Sequence, residues 1–416
     1  MAETVPLKIK SFDALKIPEF RNLVTGRFCF VMALRMMTTL LGWWIYNLTN
    51  APFAIGLIGL SEVVPAVSLA LYAGHVIDMS DKKKLLMRGI SLYSVAAIIL
   101  LILSTKNTGA LFSNHTIPIF IYLIVFCTGI VRAFTGPVFN VILAQVVPRH
   151  LLQNATTWNQ GSYLSASVTG HAVGGLLIAA LGNTGTFTVI VCLLITAFFI
   201  LINIKPKPPL NINTEKKTWD SVKEGLQFVF KTKEILGALS LDLFAVLFGG
   251  AVAMVPVFAR DILKVGAEGF GFLNAATDLG AIFSVILLTV FPMHKKQGYK
   301  LLLAVFGFGI CIICFGLSKI FLLSFFVLLI SGMLDGISVV VRGTIMQLKT
   351  PDTMRGRVMS VNSMFINSSN ELGQFESGVM AKLLGVVPSV VFGGCMTIAV
   401  VIVTWIKAPT LRRMEY

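Results

Sequence analysis

The sequence predicts an all-α integral membrane protein of twelve transmembrane helices, on three observations. Of 416 residues, 56% are hydrophobic and only 13% charged, about half the charged share of a soluble domain. Apolar runs of about 18 or more residues, each long enough as a helix to cross a hydrocarbon core of about 30 Å, recur along the whole chain. With the first residue on the cytoplasmic side, 25 of the 34 Lys and Arg fall in cytoplasmic segments, 5 in external ones and 4 within the membrane, a strong positive-inside bias. A transmembrane barrel is excluded, because its strands would alternate in character every second residue and these runs are apolar all round.

Residues 1–21 carry Lys8, Lys10, Asp13, Lys16, Glu19 and Arg21 among spaced apolar residues, with no small-residue cleavage site. They read as a cytoplasmic amphipathic lead-in and not as a cleaved signal peptide. Six spans follow at 22–46, 53–77, 85–104, 117–147, 153–181 and 185–204, making an N-terminal half of 22–204. Residues 205–235 are a cytoplasmic linker, opened by prolines and lysines and continued by an amphipathic helix from Trp219 to Phe230. Six more spans at 236–262, 269–291, 300–318, 321–348, 357–384 and 387–407 make a C-terminal half of 236–407, and residues 408–416 are a cytoplasmic tail.

The halves repeat. A shift of 203 residues brings Gly129 onto Gly332, Pro148 onto Pro351, Gly170 onto Gly373, Gly175 onto Gly378, Leu181 onto Leu384 and Gly182 onto Gly385. A weaker shift of 215 brings GLIGLSE from Gly56 onto GFLNAAT from Gly271. A duplicated six-helix unit with parallel halves is the plan of one class of secondary transporters, which bind cargo between the halves near the midplane.

The net charge of +15 does not imply nucleic acid, since no aromatic residues interleave with the basic ones as a strand-binding groove requires. It sets topology and meets anionic membrane lipids. All six cysteines, including the CxxC of Cys311 and Cys314, sit in apolar runs without His or acid beside them, which suits packing and not metal or redox work. No nucleotide-binding loop, HExxH or nucleophile elbow is present. No cofactor and no metal are therefore expected, and an enzyme is the poorer class. Polar groups scattered at the midplane of duplicated halves suit alternating access better than a channel.

Three motifs carry a resemblance. Gly74, Asp78, Lys82 and Lys83, with Asp81 and Lys84, resemble the second-to-third loop signature of the major facilitator superfamily. RAFTGP from Arg132 is similar to that superfamily's fourth-span Arg motif. GHAVGG, with Gly170, Gly174 and Gly175 and with His171 in place of proline, resembles the fifth-span motif of its exporters. Over nearly the full length, through FRNLVTGR from Phe20, PVFARDIL from Pro256 and PDTMRGRVMSVNSMF from Pro351, the chain looks like the bacterial enterobactin-exporter-like branch. The resemblance implies a monomeric secondary transporter of the bacterial inner membrane, both termini cytoplasmic, exporting a small organic molecule (siderophore, drug or metabolite) in exchange for protons. It implies that Asp78 locks one state at the cytoplasmic interface, with Arg355 or Arg357 as partner, and that the glycines of GHAVGG allow close packing. Uptake or lipid handling on the same fold, and a non-transporting receptor or scaffold, stand as alternatives.

An ionisable residue at bilayer depth costs at least about 2.5 kcal/mol on insertion scales, so each needs a partner, a wet cavity or a function. Arg35 and Arg132 lie mid-span and are expected to line a cavity that attracts anionic cargo or biases nearby acids. Arg132 falls on Asp335 under the 203 shift, which would set an acid and a base on opposing walls. Glu62 and Asp278, one residue apart under the 215 shift, are placed to take a proton from outside; Asp335, Glu371 and His171 complete the proton-coupling candidates. The 215 shift also brings Arg27 onto Asp242, a candidate gate pair. Asn367, Asn370 or Glu371, and Gln374 form one polar stripe on the eleventh span and are expected to line the cavity, as is Trp158. Trp43, Trp44 and Tyr46 are expected as anchors at the outer interface.

Overall fold

In an apolar chain the backbone has no partner but itself, and the described residues are helical with no strand among them. The computed structural model describes residues 11–105, 116–208, 218–291, 293, 295–351 and 354–415. In chain order these form α1 (Pro18–Thr49), α2 (Pro52–Met79), α3 (Lys82–Leu103), α4 (Thr116–Val146), α5 (Leu152–Leu201), α6 (Thr218–Lys231), α7 (Lys233–Phe248), α8 (Gly266–Val290), α9 (Gln297–Leu317), α10 (Phe321–Lys349), α11 (Arg355–Leu384), α12 (Val386–Lys407) and the short α13 (Pro409–Arg412).

Ten helices among the described residues are long and apolar enough to cross a membrane, α5 being counted as one and α7 being counted together with the segment that follows it. Two features of the chain bear on that number. The backbone of α5 is broken at Gly182, whose φ of 67° and ψ of −171° are open to glycine and costly for other residues. Helix α11 is 30 residues long, but its glutamates and its Asn-, Ser- and Gln-rich middle make it less apolar than the others. The expected continuous span at 236–262 is interrupted after Phe248: Gly249 and Gly250 weaken the helix and Pro256 removes a donor. The chain goes on there through a 3₁₀ turn at Gly250–Met254 and a π-helical turn at Phe258–Ile262.

The helices pack in two groups, α1–α5 and α7–α12, which meet chiefly where α2 packs on α11 and α5 on α8. Leu92, Val95, Ile102, Leu322, Phe326, Ile402 and Ile406 stay exposed on the outside, as expected of faces whose solvent is hydrocarbon. Linker helix α6 sits on the second group, with Val229 fully buried among Ile235, Leu239, Met346, Val358 and Val361. Its Glu224 forms an ion pair with Arg357.

The two ends of the molecule differ. At the end formed by the α1–α2 turn, the Gly182 break and the start of α8, the groups touch backbone to backbone. A Cβ on Gly378 would stand 2.8 Å from Cα of Gly56, and one on Gly175 would stand 2.6 Å from Cα of Gly271; only glycine permits so close an approach. A polar latch adds to this seal: the Tyr46 hydroxyl bonds Asp261, Arg260 donates to Asn47 Oδ1 at 3.0 Å and to Asn50 Oδ1 at 2.5 Å, and its guanidinium lies 4.8 Å from the Tyr46 ring. The aromatic residues expected as interface anchors are packed between helices instead, Trp43 stacked on Phe270 and Trp44 edge-on to Phe187. Toward the opposite, terminal end, Gly74, Gly136, Gly161 and Gly343 have no atom within 4 Å of an added Cβ.

A polar cluster beneath two glycine crossings

Helical spacing places an acid two turns below each crossing: Glu371 is seven residues from Gly378 on α11, and Asp278 seven from Gly271 on α8. Beneath the α2–α11 crossing, Arg132 of α4 donates through Nη1 to Glu62 Oε1 of α2 at 2.5 Å and to Glu371 Oε1 of α11. One guanidinium thus bridges a carboxylate of its own group and one of the other group. Glu371 is 9% exposed, and its Oε2 is buried without a hydrogen-bond partner. Gly59 lets the helices approach there, since a Cβ on it would lie 2.7 Å from the Glu371 carbonyl oxygen. Gln374 Nε2 donates to the Ile55 carbonyl at 3.3 Å.

Beneath the α5–α8 crossing, Asp278 Oδ2 accepts from Ser167 Oγ at 2.5 Å and stands 3.6 Å from His171 Nε2. The other ring nitrogen of His171 lies 2.7 Å from Thr39 Oγ1 of α1. The GHAVGG glycines divide their work: Gly170 and Gly174 lie against Met32, Arg35 and Met36 of α1, whereas Gly175 makes the crossing.

Several expected placements differ in the structure. Arg27 and Asp242 do not pair; Asp242 forms a buried ion pair with Arg342 between α7 and α10, within one group. Asp335 borders the same small space as Asp242, beside Phe308 and Leu334, and does not face Arg132, which the two glutamates hold. Trp158 does not line a midplane cavity: its Nε1 donates to the Ser11 carbonyl at 2.7 Å and its ring meets Phe12, fastening the lead-in to the terminal end of α5. Lys82 is 3% exposed, with its amide bonded to the Lys207 carbonyl, while Asp81 caps α3 by accepting from Lys84 N at 3.1 Å. Lys83 borders a surface depression with Lys84 and Arg88, and Gly74 and Asn370 are exposed. The side chains of Asp78, Asn367 and Arg355 lie outside the described residues. The sequence reading missed the Tyr46–Arg260–Asp261 latch, for which PVFARDIL offered a basic–acidic pair beside a span end as the only signal.

The Asp242–Arg342 pair gives a stability prediction. Removing one partner of a buried pair strands the other charge, at a cost of about 3–5 kcal/mol. Asp242→Ala will therefore lower the unfolding temperature in detergent sharply, and Asp242→Ala with Arg342→Met will recover most of the loss. Equal unfolding temperatures for wild type and Asp242→Ala would show that the pair carries no such burden.

Residues 9–415 match the family model described as transmembrane secretion effector. The chain is 24% identical over 350 residues to the enterobactin exporter EntS of Shigella flexneri, covering 82% of this chain and 80% of that relative. It is equally 24% identical over 356 residues to EntS of Escherichia coli, with the same coverage. Among solved structures, the nucleoside transporter NupG superposes with a TM-score of 0.72 at 11% identity, over 93% of this chain and 98% of that one. A bacterial homolog of the lysosomal transporter Spinster, in an inward-facing and unoccupied conformation, gives 0.65 at 15%, over 94% and 95%. At such identities the structural likeness speaks for the fold alone, whereas the full-length family match decides membership: this multi-pass membrane protein belongs to the transmembrane secretion effector family of major facilitator transporters.

Proposed function

We propose that this transporter is a proton-coupled antiporter that exports a small organic molecule by alternating access, with Arg132, Glu62 and Glu371 as its switch. The observation that carries the reading is the bridge itself: a single guanidinium holds a carboxylate of each helix group directly beneath a glycine crossing that seals one end. Arg132 and a proton compete for the same Glu371 carboxylate. Sealing the crossing brings Arg132 to Glu371 and sends the proton on; opening it frees Glu371 to take another. The unpartnered Oε2 of Glu371 is the atom to receive it. Membrane potential favours inward proton movement by about 2.3 kcal/mol per charge per 100 mV.

In this reading the chain has twelve spans, α5 supplying two and α11 one, in halves of 22–204 and 236–407 joined by the 205–235 linker, with residues 1–21 and 408–416 cytoplasmic. The glycine pairs support the duplication: the 215 shift relates Gly56 to Gly271, the 203 shift relates Gly175 to Gly378, and those four residues form the two crossings. The sealed end is then external, and the site is open to the cytoplasm of a bacterial inner membrane, where an exporter loads. The likeness to the EntS enterobactin exporters supports outward transport and a siderophore among the cargos to be tried. One protomer, bathed in lipid, holds the whole switch; Asp278 with His171 and Asp335 with Asp242 are auxiliary proton sites, and Asp78, Lys82 and Lys83 gate the cytoplasmic side.

The test uses inside-out vesicles with an acidic lumen. Adding enterobactin, an aromatic carboxylate such as salicylate, or an organic cation will raise lumenal pH as protons leave in exchange for the transported cargo. No proton signal from any of them, with folded protein present, would overturn the coupling.

A further inference from the structure

The cations at membrane depth are not equally provided for. Arg132 has two carboxylates and Arg342 has one. Arg27 and Arg35 of α1 have no carboxylate within ion-pair distance among the described residues. Arg27 makes one long hydrogen bond, to Asn140 Oδ1 at 3.5 Å, and Arg35 one, to the Tyr163 hydroxyl at 2.7 Å. A guanidinium carries five donors, so most of this capacity is unspent. Both guanidiniums also lie against one ring: Cζ of Arg27 is 5.4 Å from the Tyr163 centroid and Cζ of Arg35 is 5.7 Å from it, while Arg27 is 5.4 Å from Phe139 as well.

Two like charges set against one aromatic side chain at this depth repel each other, and neither has a carboxylate in contact among the described residues. Glu371, which Arg132 holds, lies beyond ion-pair range of Arg35. Asp278 attracts Arg35 from beyond ion-pair range and is already bonded to Ser167. A second polar group nearby is unsatisfied: Asn159, one turn before Tyr163 on α5 and 5% exposed, has a side-chain oxygen with no partner. Arg27, Arg35 and Tyr163 are each half-buried and not fully enclosed, so the wall they form is reachable.

We infer that Arg27, Arg35 and Tyr163, with Asn159 beside them, form the cargo site, and that the cargo is an organic anion bearing a carboxylate or phosphate on an aromatic body. A planar guanidinium fork matches a carboxylate or phosphate two bonds at a time. The ring of Tyr163, which is half-buried, offers a flat body an apolar surface. The inference rests on the transport reading for the word cargo, but the site itself requires only binding.

The test is binding to the purified full-length protein in detergent, without any gradient. Salicylate and phenyl phosphate will each bind and raise the unfolding temperature, and uncharged salicylamide will not. Arg35→Gln and Arg27→Gln will each weaken binding about tenfold or more, and Arg35→Lys, which keeps the charge and loses the fork, will fall between. Should one glutamine variant fail to fold, the other and the lysine variant carry the comparison. No binding of either anion, equal binding of salicylamide, or wild-type affinity in both glutamine variants would overturn the site. Loss of salicylate binding when phosphatidylglycerol is added, with the same dependence on Arg27 and Arg35, would assign it to a lipid headgroup and overturn the cargo. Failure of the transport reading shows separately, as a silent vesicle assay beside intact binding in detergent.

Discussion

Glu371→Gln will abolish cargo accumulation driven by a pH gradient while leaving cargo exchange between the two sides of the membrane intact. The glutamine keeps the size of the side chain and hydrogen bonds in place of the carboxylate, so the helices still pack, but it neither holds Arg132 as a charge partner nor takes up a proton. Coupled transport in inside-out vesicles should fall by about a hundredfold or more, with counterflow of labelled cargo within about a factor of three of wild type. Glu62→Gln touches the same guanidinium from within one helix group and leaves the bridge between groups standing; its coupled rate should fall by only about tenfold. The ordering decides the mechanism. If Glu62→Gln uncouples and Glu371→Gln does not, the proton site is on α2, and the bridge between groups is only a strut. If both keep coupling, the proton travels by Asp278 or Asp335, and those acids become the next to neutralise.

Much of this arrangement was legible in the sequence, for identifiable reasons. Long apolar runs and the placement of Lys and Arg respond to bilayer thickness and topology, so helix positions could be read within a few residues, as at α1, α4 and α10. The offsets of 203 and 215 picked out Gly56, Gly175, Gly271 and Gly378 because close helix approach tolerates no Cβ, though nothing in one dimension says that these four meet in two pairs. Charged residues at depth were found one by one, since each is expensive, but their partners were not. Arg132 was set opposite Asp335 from the repeat and bonds Glu62 and Glu371; Arg27 was set opposite Asp242, which Arg342 holds. Pairing depends on how helices rotate about their axes, and a repeat shift relates positions by symmetry without bringing them into contact. Trp158 misled for a similar cause: an aromatic residue inside a span looks the same in sequence whether it faces a cavity or anchors a neighbouring segment.

Gly378→Val will hold the transporter open at the sealed end. A Cβ there would come 2.8 Å from the Gly56 Cα and 3.1 Å from its nitrogen, atoms of backbone that cannot swing aside. Overpacking of this kind costs typically about 1–3 kcal/mol, and the strain exists only while the crossing is closed, so the balance between states should move about tenfold or more toward the open one. Gly175→Val meets the Gly271 backbone at 2.6 Å and will act in the same direction, whereas Gly136→Ala, with nothing within 4 Å, will change neither state nor rate. The readout is a cysteine placed by Ala51→Cys at the α1–α2 turn, in a background without the native cysteines, labelled from outside by a membrane-impermeant maleimide. Labelling should quicken and transport should fall together in both valine variants, because alternating access needs the crossing to close in every cycle. Full transport with unchanged labelling in Gly378→Val would mean that α2 and α11 never close this tightly in the membrane. The Arg132 bridge beneath them would then have no motion to sense, and the proton would need a switch elsewhere in the fold.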